Sequence, residues 1–205
     1  DKMVIVGGGI FSDQLYPDGI NFNKVMGEMS QYIDKVIIGE GEELLYKLLM
    51  GELDNNKLYY TKEDIKQENT NKINLPSPDF DGIEIDSYPQ LATFISRSCP
   101  FQCYFCSETV QWGLFRKRNV KEVVSEMQSL SAEYNRSLFL LGDSLLDSVI
   151  NEFSTEILDK NAGLYWDGYL RVSKMACKPE NTSKWRNAGF YRARLGIESG
   201  SNRVL

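Results

Sequence analysis

Histidine is absent from all 205 residues. Its absence excludes Ser-His-Asp and Cys-His catalysis, histidine-ligated zinc and imidazole acid–base chemistry. Arginine is absent from the first ninety residues, and cysteine occurs only four times. No apolar run approaches the roughly 18 residues of a membrane span. The start, Asp1-Lys2-Met3, opens directly into a strand pattern and carries no secretory signal. Hydrophobic residues make up 42% and charged residues 25%, a balance that excludes wholesale disorder. Nothing in the pattern points to a nucleic-acid or membrane partner. Three of the four cysteines fall within eight residues, between Cys99 and Cys106. That is a metal or redox pattern rather than a secreted disulfide framework, and it places the chain in a reducing compartment, the cytoplasm.

The charge is divided. Residues 1–90 hold 8 Lys against 17 Asp and Glu, whereas residues 91–205 hold 15 Lys and Arg against 12 Asp and Glu. Two readings stay open: a change of composition between two domains, or a second half that handles a carboxylate- or phosphate-bearing ligand.

The periodicity reads as strand and helix in alternation. Met3–Val6 predicts a buried parallel strand running into Gly7-Gly8-Gly9. Phe22, Val25, Met26, Met29 and Ile33 predict a helix, and Val36–Ile38 a second strand ended by Gly39. Leu44, Leu45, Leu48 and Leu49 mark one helix face, and Lys57–Tyr60 a short strand. Residues 61–90, with Pro76, Pro78 and Pro89, read as a linker or wrapping segment. Alternation resumes with a strand at Leu91–Ile95, a long loop over 97–119, and a helix on Val120, Val123, Val124, Met127 and Leu130, N-capped by Asn119. A strand at Ser137–Leu141, a helix on Val149, Ile150, Phe153, Ile157 and Leu158, and a strand at Leu164–Leu170 follow. A helix over Pro179–Ala188, stopped by Gly189, leads to a last strand at Tyr191–Ile197. Four βα units in series imply an open doubly wound sheet or a barrel, and in both a ligand binds at the carboxyl ends of the strands.

The loop after the strand at Leu91 reads Cys99-Pro-Phe-Gln-Cys103-Tyr-Phe-Cys106, a C-x3-C-x2-C spacing. Three thiolates on one short loop can converge on one metal centre. A structural zinc needs a fourth ligand, and the remaining cysteine, Cys177, is far along the chain and reads as a small buried residue. Iron–sulfur clusters favour thiolates, and three ligands on a four-iron cluster leave one iron open.

These residues resemble the signature of the radical S-adenosylmethionine (SAM) superfamily over residues 91–205. Leu141-Gly142-Asp143 resembles that family's Gly-Gly-Glu-like motif. Gly196-Ile197-Glu198-Ser199-Gly200-Ser201 resembles a segment of its cobalamin-binding and methylthiotransferase branches. The resemblance implies that Cys99, Cys103 and Cys106 hold a [4Fe-4S] cluster and that SAM chelates its open iron. It implies reductive cleavage of SAM to a 5′-deoxyadenosyl radical, with electrons from a donor such as flavodoxin or ferredoxin, and a substrate that the sequence does not name. Phe105 would pack near the adenine and Asp143, one methylene shorter than glutamate, would receive the methionine ammonium. Gly142, Arg171, Glu198 and Ser199 are further SAM-binding candidates. Each also has an ordinary alternative: core packing for Phe105, a common strand ending for Gly142-Asp143, and an ion pair for Arg171.

The first ninety residues resemble the last two strands of the cobalamin-binding Rossmann-like domain that precedes the barrel in one branch of that superfamily. Gly7, Gly8, Gly39, Glu40 and Gly41 are the candidate cobalamin contacts, and Leu75-Pro-Ser-Pro-Asp-Phe80 resembles the branch's linker. Glycines there permit close backbone approach to a ligand, while Glu40, Glu42 and Glu43 also suit a helix dipole. The expected fold class is therefore α/β: 1–60, the C-terminal part of a Rossmann-like cobalamin-binding domain; 61–90, a linker; and 91–205, the first four βα units of a partial TIM-type (β/α)6 barrel. The expected activity is cobalamin-dependent methylation of an unactivated carbon. A methylthiotransferase or radical rearrangement without cobalamin, and a non-catalytic iron–sulfur electron-transfer module, are the alternatives. The strand at Tyr191 is expected to leave an unpaired apolar edge, in a fragment or under a covering partner.

Overall fold

The computed structural model describes residues 2–8, 27–28, 31–65, 73 and 75–203. Most of the helix expected on Phe22, Val25, Met26 and Met29, and the middle of the 61–90 segment, lie outside the described residues. The fold is α/β with parallel sheets. The chain divides into two compact units: residues 1–70 with 100–114, and residues 71–99 with 115–205. None of the described helices is long and apolar enough to cross a membrane.

In the first unit β1 (Ile5–Val6), β2 (Lys35–Ile37) and β3 (Tyr59–Tyr60) form a parallel sheet in the order β1-β2-β3. The central strand carries the buried residues Val36 and Ile37. Among the described residues β1 is the outer strand, and Met3 and Val4, expected inside a buried strand, are exposed. Helix α1 (Glu42–Leu49) follows β2 and buries Leu44 and Leu48. Leu45 and Leu49 do not share that face; both are exposed, each one position off the Leu44–Leu48 stripe. Tyr60 is buried and its hydroxyl donates to the Asp54 carbonyl at 2.8 Å.

The second unit is built on β4 (Leu91–Thr93), β7 (Leu138–Leu141), β8 (Tyr165–Leu170) and β9 (Phe190–Leu195), all parallel in that order. The stretch expected to be one loop over 97–119 is more structured than its composition suggests. It holds β5 (Ser96–Arg97), β6 (Arg116–Lys117) and α2 (Glu108–Trp112), with β5 and β6 paired antiparallel. Two-residue strands carry too little periodicity to be read from sequence.

Helices α3 (Val120–Tyr134), α4 (Ile150–Asp159) and α5 (Pro179–Asn187) pack on one face of the sheet. All five apolar positions expected on α3 are buried, and Asn119 caps it by accepting from the Lys121 amide at 3.0 Å. On α4, Ile150, Phe153 and Ile157 face the core, whereas Leu158 lies one position off that stripe and is exposed. Trp166 anchors the core between Phe153, edge-on at 4.9 Å, and Phe190 at 4.6 Å. Its indole N–H donates to the Ala188 carbonyl at 2.8 Å, which satisfies its one polar group. Gly189 ends α5 with φ of +90°, and a Cβ there would fall on the Leu164 carbonyl oxygen. Phe80 and Ile85, from the wrapping segment, pack on the same core. Cys177, expected to be buried, is exposed in the turn before α5.

Candidate functional site

Parallel strands end on one side. The sheet order therefore brings four segments of the second unit to one end: Ser96–Cys99 after β4, Gly142–Asp143 after β7, Arg171 after β8 and Gly196–Ser199 after β9. The sequence placed its SAM-binding candidates on these segments, apart from Phe105. Cys103, Phe105 and Cys106 belong to the first unit.

The cysteine loop hangs from the β5–β6 ladder, in which Ser96 pairs with Lys117 and Arg97 with Arg116. At its entrance, Asp143 accepts the Ile95 amide at 3.0 Å, the Ser96 amide at 2.6 Å and the Ser96 hydroxyl at 2.5 Å. The carboxylate is 1% exposed. Burial pushes it up to about 6, against the Ser96 hydroxyl and the two amides, which favour the ionised form. At the exit, the Arg118 amide donates to the Ile95 carbonyl at 2.7 Å. The Arg118 guanidinium pairs with Glu126 through bonds of 3.1 and 2.5 Å and donates to the Phe94 carbonyl at 3.1 Å. Phe94 has the Arg97 and Arg118 guanidiniums at 5.0 and 5.4 Å from its ring centroid. Sequence reading missed Ser96, Arg118 and Glu126. The i, i+8 spacing of an arginine before a helix and a glutamate within it was the available signal.

Backbone strain marks the same end. Four non-glycine residues have positive φ among the described residues: Ser98, Asn135, Asn161 and Glu198. Asn135 and Asn161 follow α3 and α4, where a left-handed residue is ordinary. Ser98, at +67° and fully buried, immediately precedes Cys99; Glu198, at +58°, is a SAM candidate. Such conformations persist where the surroundings over-determine them, and they cluster at ligand sites.

None of the three loop cysteines is in a disulfide. Cys99 and Cys106 are half-buried and Cys103 is exposed, and the Cys106 amide donates to the Cys103 carbonyl at 3.0 Å. The donor set fits an iron–sulfur cluster in type and number: three thiols, none in a disulfide. Among the described residues no three His, Cys, Asp or Glu side chains are gathered closely enough to hold a metal ion. Phe105 is 73% exposed, so it is not core. Gly142 donates its amide to the Thr93 carbonyl at 2.8 Å. Arg171 is exposed, and its amide donates to Asp147 at 3.0 Å, an acidic residue the sequence reading passed over. Glu198 is exposed and folds its carboxylate over Gly196; the Ser199 hydroxyl accepts the Ser201 amide at 3.1 Å. In the first unit, Gly7–Gly8 and Gly39–Gly41 follow the parallel strands β1 and β2 at their shared end. A Cβ on Gly7 would lie 3.3 Å from the Ile37 carbonyl, and Gly8 and Gly39 have φ of +102° and +89°.

No family model matches the chain. Individual relatives do. An anaerobic magnesium-protoporphyrin IX monomethyl ester cyclase of Rubrivivax gelatinosus is 26% identical over 99% of this chain and 40% of its own length. An uncharacterized methyltransferase of Pyrococcus horikoshii is 31% identical over 84% of this chain and 42% of its own length. The radical S-adenosylmethionine methyltransferase TsrM of Kitasatospora setae, solved with tryptophan substrate and a SAM analogue, superposes with a TM-score of 0.68 at 17% identity. That match covers 98% of this chain and 42% of TsrM. The chain is thus similar in sequence to these cyclases and methyltransferases, and similar in fold to TsrM. It spans about two fifths of the length of these relatives.

Proposed function

We propose that this chain carries the cluster- and SAM-binding part of a radical SAM enzyme whose reaction is cobalamin-dependent methylation of an unactivated carbon. One observation carries the reading. The parallel sheet of the second unit sets Ser96–Cys99, where the cysteine segment begins, and Gly142–Asp143, Arg171 and Glu198 at one end, and the strained residues Ser98 and Glu198 lie there too. TsrM has been solved with cobalamin and a [4Fe-4S] cluster, and a cytidylyl-2-hydroxyethylphosphonate methyltransferase of Streptomyces wedmorensis is 32% identical over 55% of this chain. Both support a methyl-transfer outcome.

In this reading Cys99, Cys103 and Cys106 hold a [4Fe-4S] cluster. When bound, the cluster supplies the electron that cleaves the SAM carbon–sulfur bond, drawn from a donor of the flavodoxin or ferredoxin type. The protein's part is placement and exclusion of water. Asp143 acts as a positioning residue: it fixes the entrance of the cysteine loop to the end of β7. Its charge faces three donors, so it reaches the methionine ammonium only by sharing an oxygen already in use. Gly142, Arg171, Glu198 and Ser199 line the SAM side, and exposed Phe105 is free of the core to cover the adenine. Gly7, Gly8, Gly39, Glu40 and Gly41 offer cobalamin a glycine-rich backbone edge. The organisation that goes with this reading is a partial cobalamin-binding domain over 1–60, a linker over 61–90 and the first four βα units of the barrel over 91–205, in the cytoplasm.

Anaerobic reconstitution with iron, sulfide, SAM and reductant tests the reading. 5′-Deoxyadenosine should form, and C103A should lose the visible absorbance of the cluster. An intact cluster without 5′-deoxyadenosine refutes the catalytic reading, and a normal cluster spectrum in C103A refutes the ligand set. The cyclase relatives favour a second outcome, a radical reaction without methyl transfer. It would show as SAM cleavage with no methylated product.

A further inference from the structure

Asp167 lies in the middle of β8 and is 0% exposed. It points away from the helices: its neighbours Trp166 and Leu170 are in the helix-facing core, whereas Tyr165 and Tyr169, of its own alternation, are exposed. Two guanidiniums converge on one of its oxygens. The Arg192 Nε donates to Oδ2 at 2.5 Å, and the Arg194 Nε and Nη2 donate to the same oxygen at 3.1 and 2.8 Å. Oδ1 accepts from Gln90 at 3.1 Å.

A β-bulge makes this cluster. Trp166 pairs with Phe190, but Asp167 pairs with Arg192, so Tyr191 is an extra residue in β9. Without it, Phe190, Arg192 and Arg194 would share one face of the strand. With it, Phe190 enters the helix-side core while Arg192 and Arg194 turn to the face of Asp167 and Tyr169. Bulges are over-represented beside active sites, where they re-aim side chains.

The cluster is built beyond what Asp167 needs. One arginine neutralises one carboxylate; the second leaves a net positive charge. Two guanidiniums carry ten N–H donors between them, more than one carboxylate can accept. The Arg192 side chain is 49% exposed, so part of this donor surface is open. Arg194 also lies over the Tyr169 ring, 5.8 Å from its centroid.

We propose that Arg192 and Arg194, held by Asp167, form a subsite for a carboxylate or phosphate group of the substrate. The assignment to substrate rests on the function proposed above. Position separates it from the SAM candidates. Asp167 is in register with Leu140, Ala92 and Arg192, across the middle of the sheet. Arg171 is four residues further along, roughly 13 Å at the rise of a strand. Fixed, paired guanidiniums suit the bidentate geometry of carboxylate and phosphate.

Calorimetric titration of the chain with inorganic phosphate, and separately with succinate, each against sodium chloride at equal ionic strength, tests the subsite. Saturable binding is expected, weakened about tenfold or more in R192Q or R194Q and unchanged in K121Q. The tighter of the two probes names the anionic group. A second measurement needs no variant. Phenylglyoxal modification of Arg192 and Arg194, read by mass spectrometry, should slow in the presence of the anion while that of Arg203 does not. Absence of saturable binding, equal binding by folded R192Q and R194Q, or unprotected arginines overturns the subsite. SAM cleavage is followed in parallel. Anion binding by a chain that assembles no cluster refutes the proposed function and leaves the subsite standing; a working cluster with no anion binding does the reverse.

Discussion

Asp143 grips Ser96 twice through one carboxylate oxygen, taking its amide at 2.6 Å and its hydroxyl at 2.5 Å. The other oxygen takes the Ile95 amide. One side chain from the end of β7 thus closes the sheet end and sets where the cysteine loop departs. The loop's exit is tied independently by Arg118 and Glu126, both of which are nearly buried. A loop clamped at both ends loses less conformational entropy when its cysteines take up a metal centre.

Removing that carboxylate should cost more than removing its partner. D143A leaves two buried amides and a hydroxyl without their acceptor, at about 3 kcal/mol in total. S96A removes one charge-assisted bond, at about 1.5 kcal/mol. Urea unfolding midpoints give the ranking. Iron bound per chain after reconstitution should fall in D143A beyond what its loss of stability explains. Equal midpoints for the two variants would remove the clamp from the account.

The same carboxyl gives stability a pH dependence. Asp143 sits at about 6 in the folded chain, above its ordinary 3.8, because burial disfavours the charged form. The folded state therefore holds the proton more tightly than the unfolded state. The contribution is complete below about 3.8 and is lost as pH rises through about 6, a change of about 3 kcal/mol for a gap of this size. D143N does not titrate there. The stability of D143N relative to the unaltered chain should improve between pH 4 and pH 7 and stay level above that. A difference that does not vary with pH would show that the three donors hold Asp143 ionised throughout.

Periodicity carried the long elements. Val120 to Leu130 on α3 reads directly, because an amphipathic helix against a sheet buries one stripe and nothing competes. Short elements did not read, because β5 and β6 have two residues each and are held by Asp143 and Arg118 from outside their own sequence. The three cysteines of the loop were legible as spacing, and the function proposed above rests on that spacing. The Asp167 cluster was not, because a bulge at Tyr191 breaks the alternation from which a strand's faces are read. Asp167 itself, a lone acid between Trp166 and Gly168, was the available sign. The resemblance pointed to Asp143 as a ligand contact; its bonds to the Ile95 and Ser96 donors had no sign in the sequence.

Gly189 tests the packing of the sheet's last crossover. Its φ of +90° is one that only glycine adopts freely, and an added methyl would meet the Leu164 backbone. Backbone cannot move aside as a side chain can. G189A should lose about 3 kcal/mol, read from the thermal or urea midpoint. G163A has the same sign of φ, +64°, but open space around it. It should lose only about 1 kcal/mol. A loss in G189A no larger than in G163A would mean that α5 and β8 do not approach as described.

Glu198 separates strain from function. At φ of +58° its Cβ is unfavourable by about 1 kcal/mol relative to glycine. E198A keeps that strain and removes the carboxylate; E198G removes both. Glycine also loosens the unfolded chain, which offsets part of the gain, so E198G should unfold at or above the midpoint of E198A by up to about 1 kcal/mol. SAM affinity, measured on the reconstituted chain, should fall alike in both, because both lack the carboxylate. A strained residue with no ligand role would give the opposite split, with stability changed and SAM affinity untouched. If E198A and E198G matched the unaltered chain in both measurements, the left-handed conformation at Glu198 would be neither strained nor used.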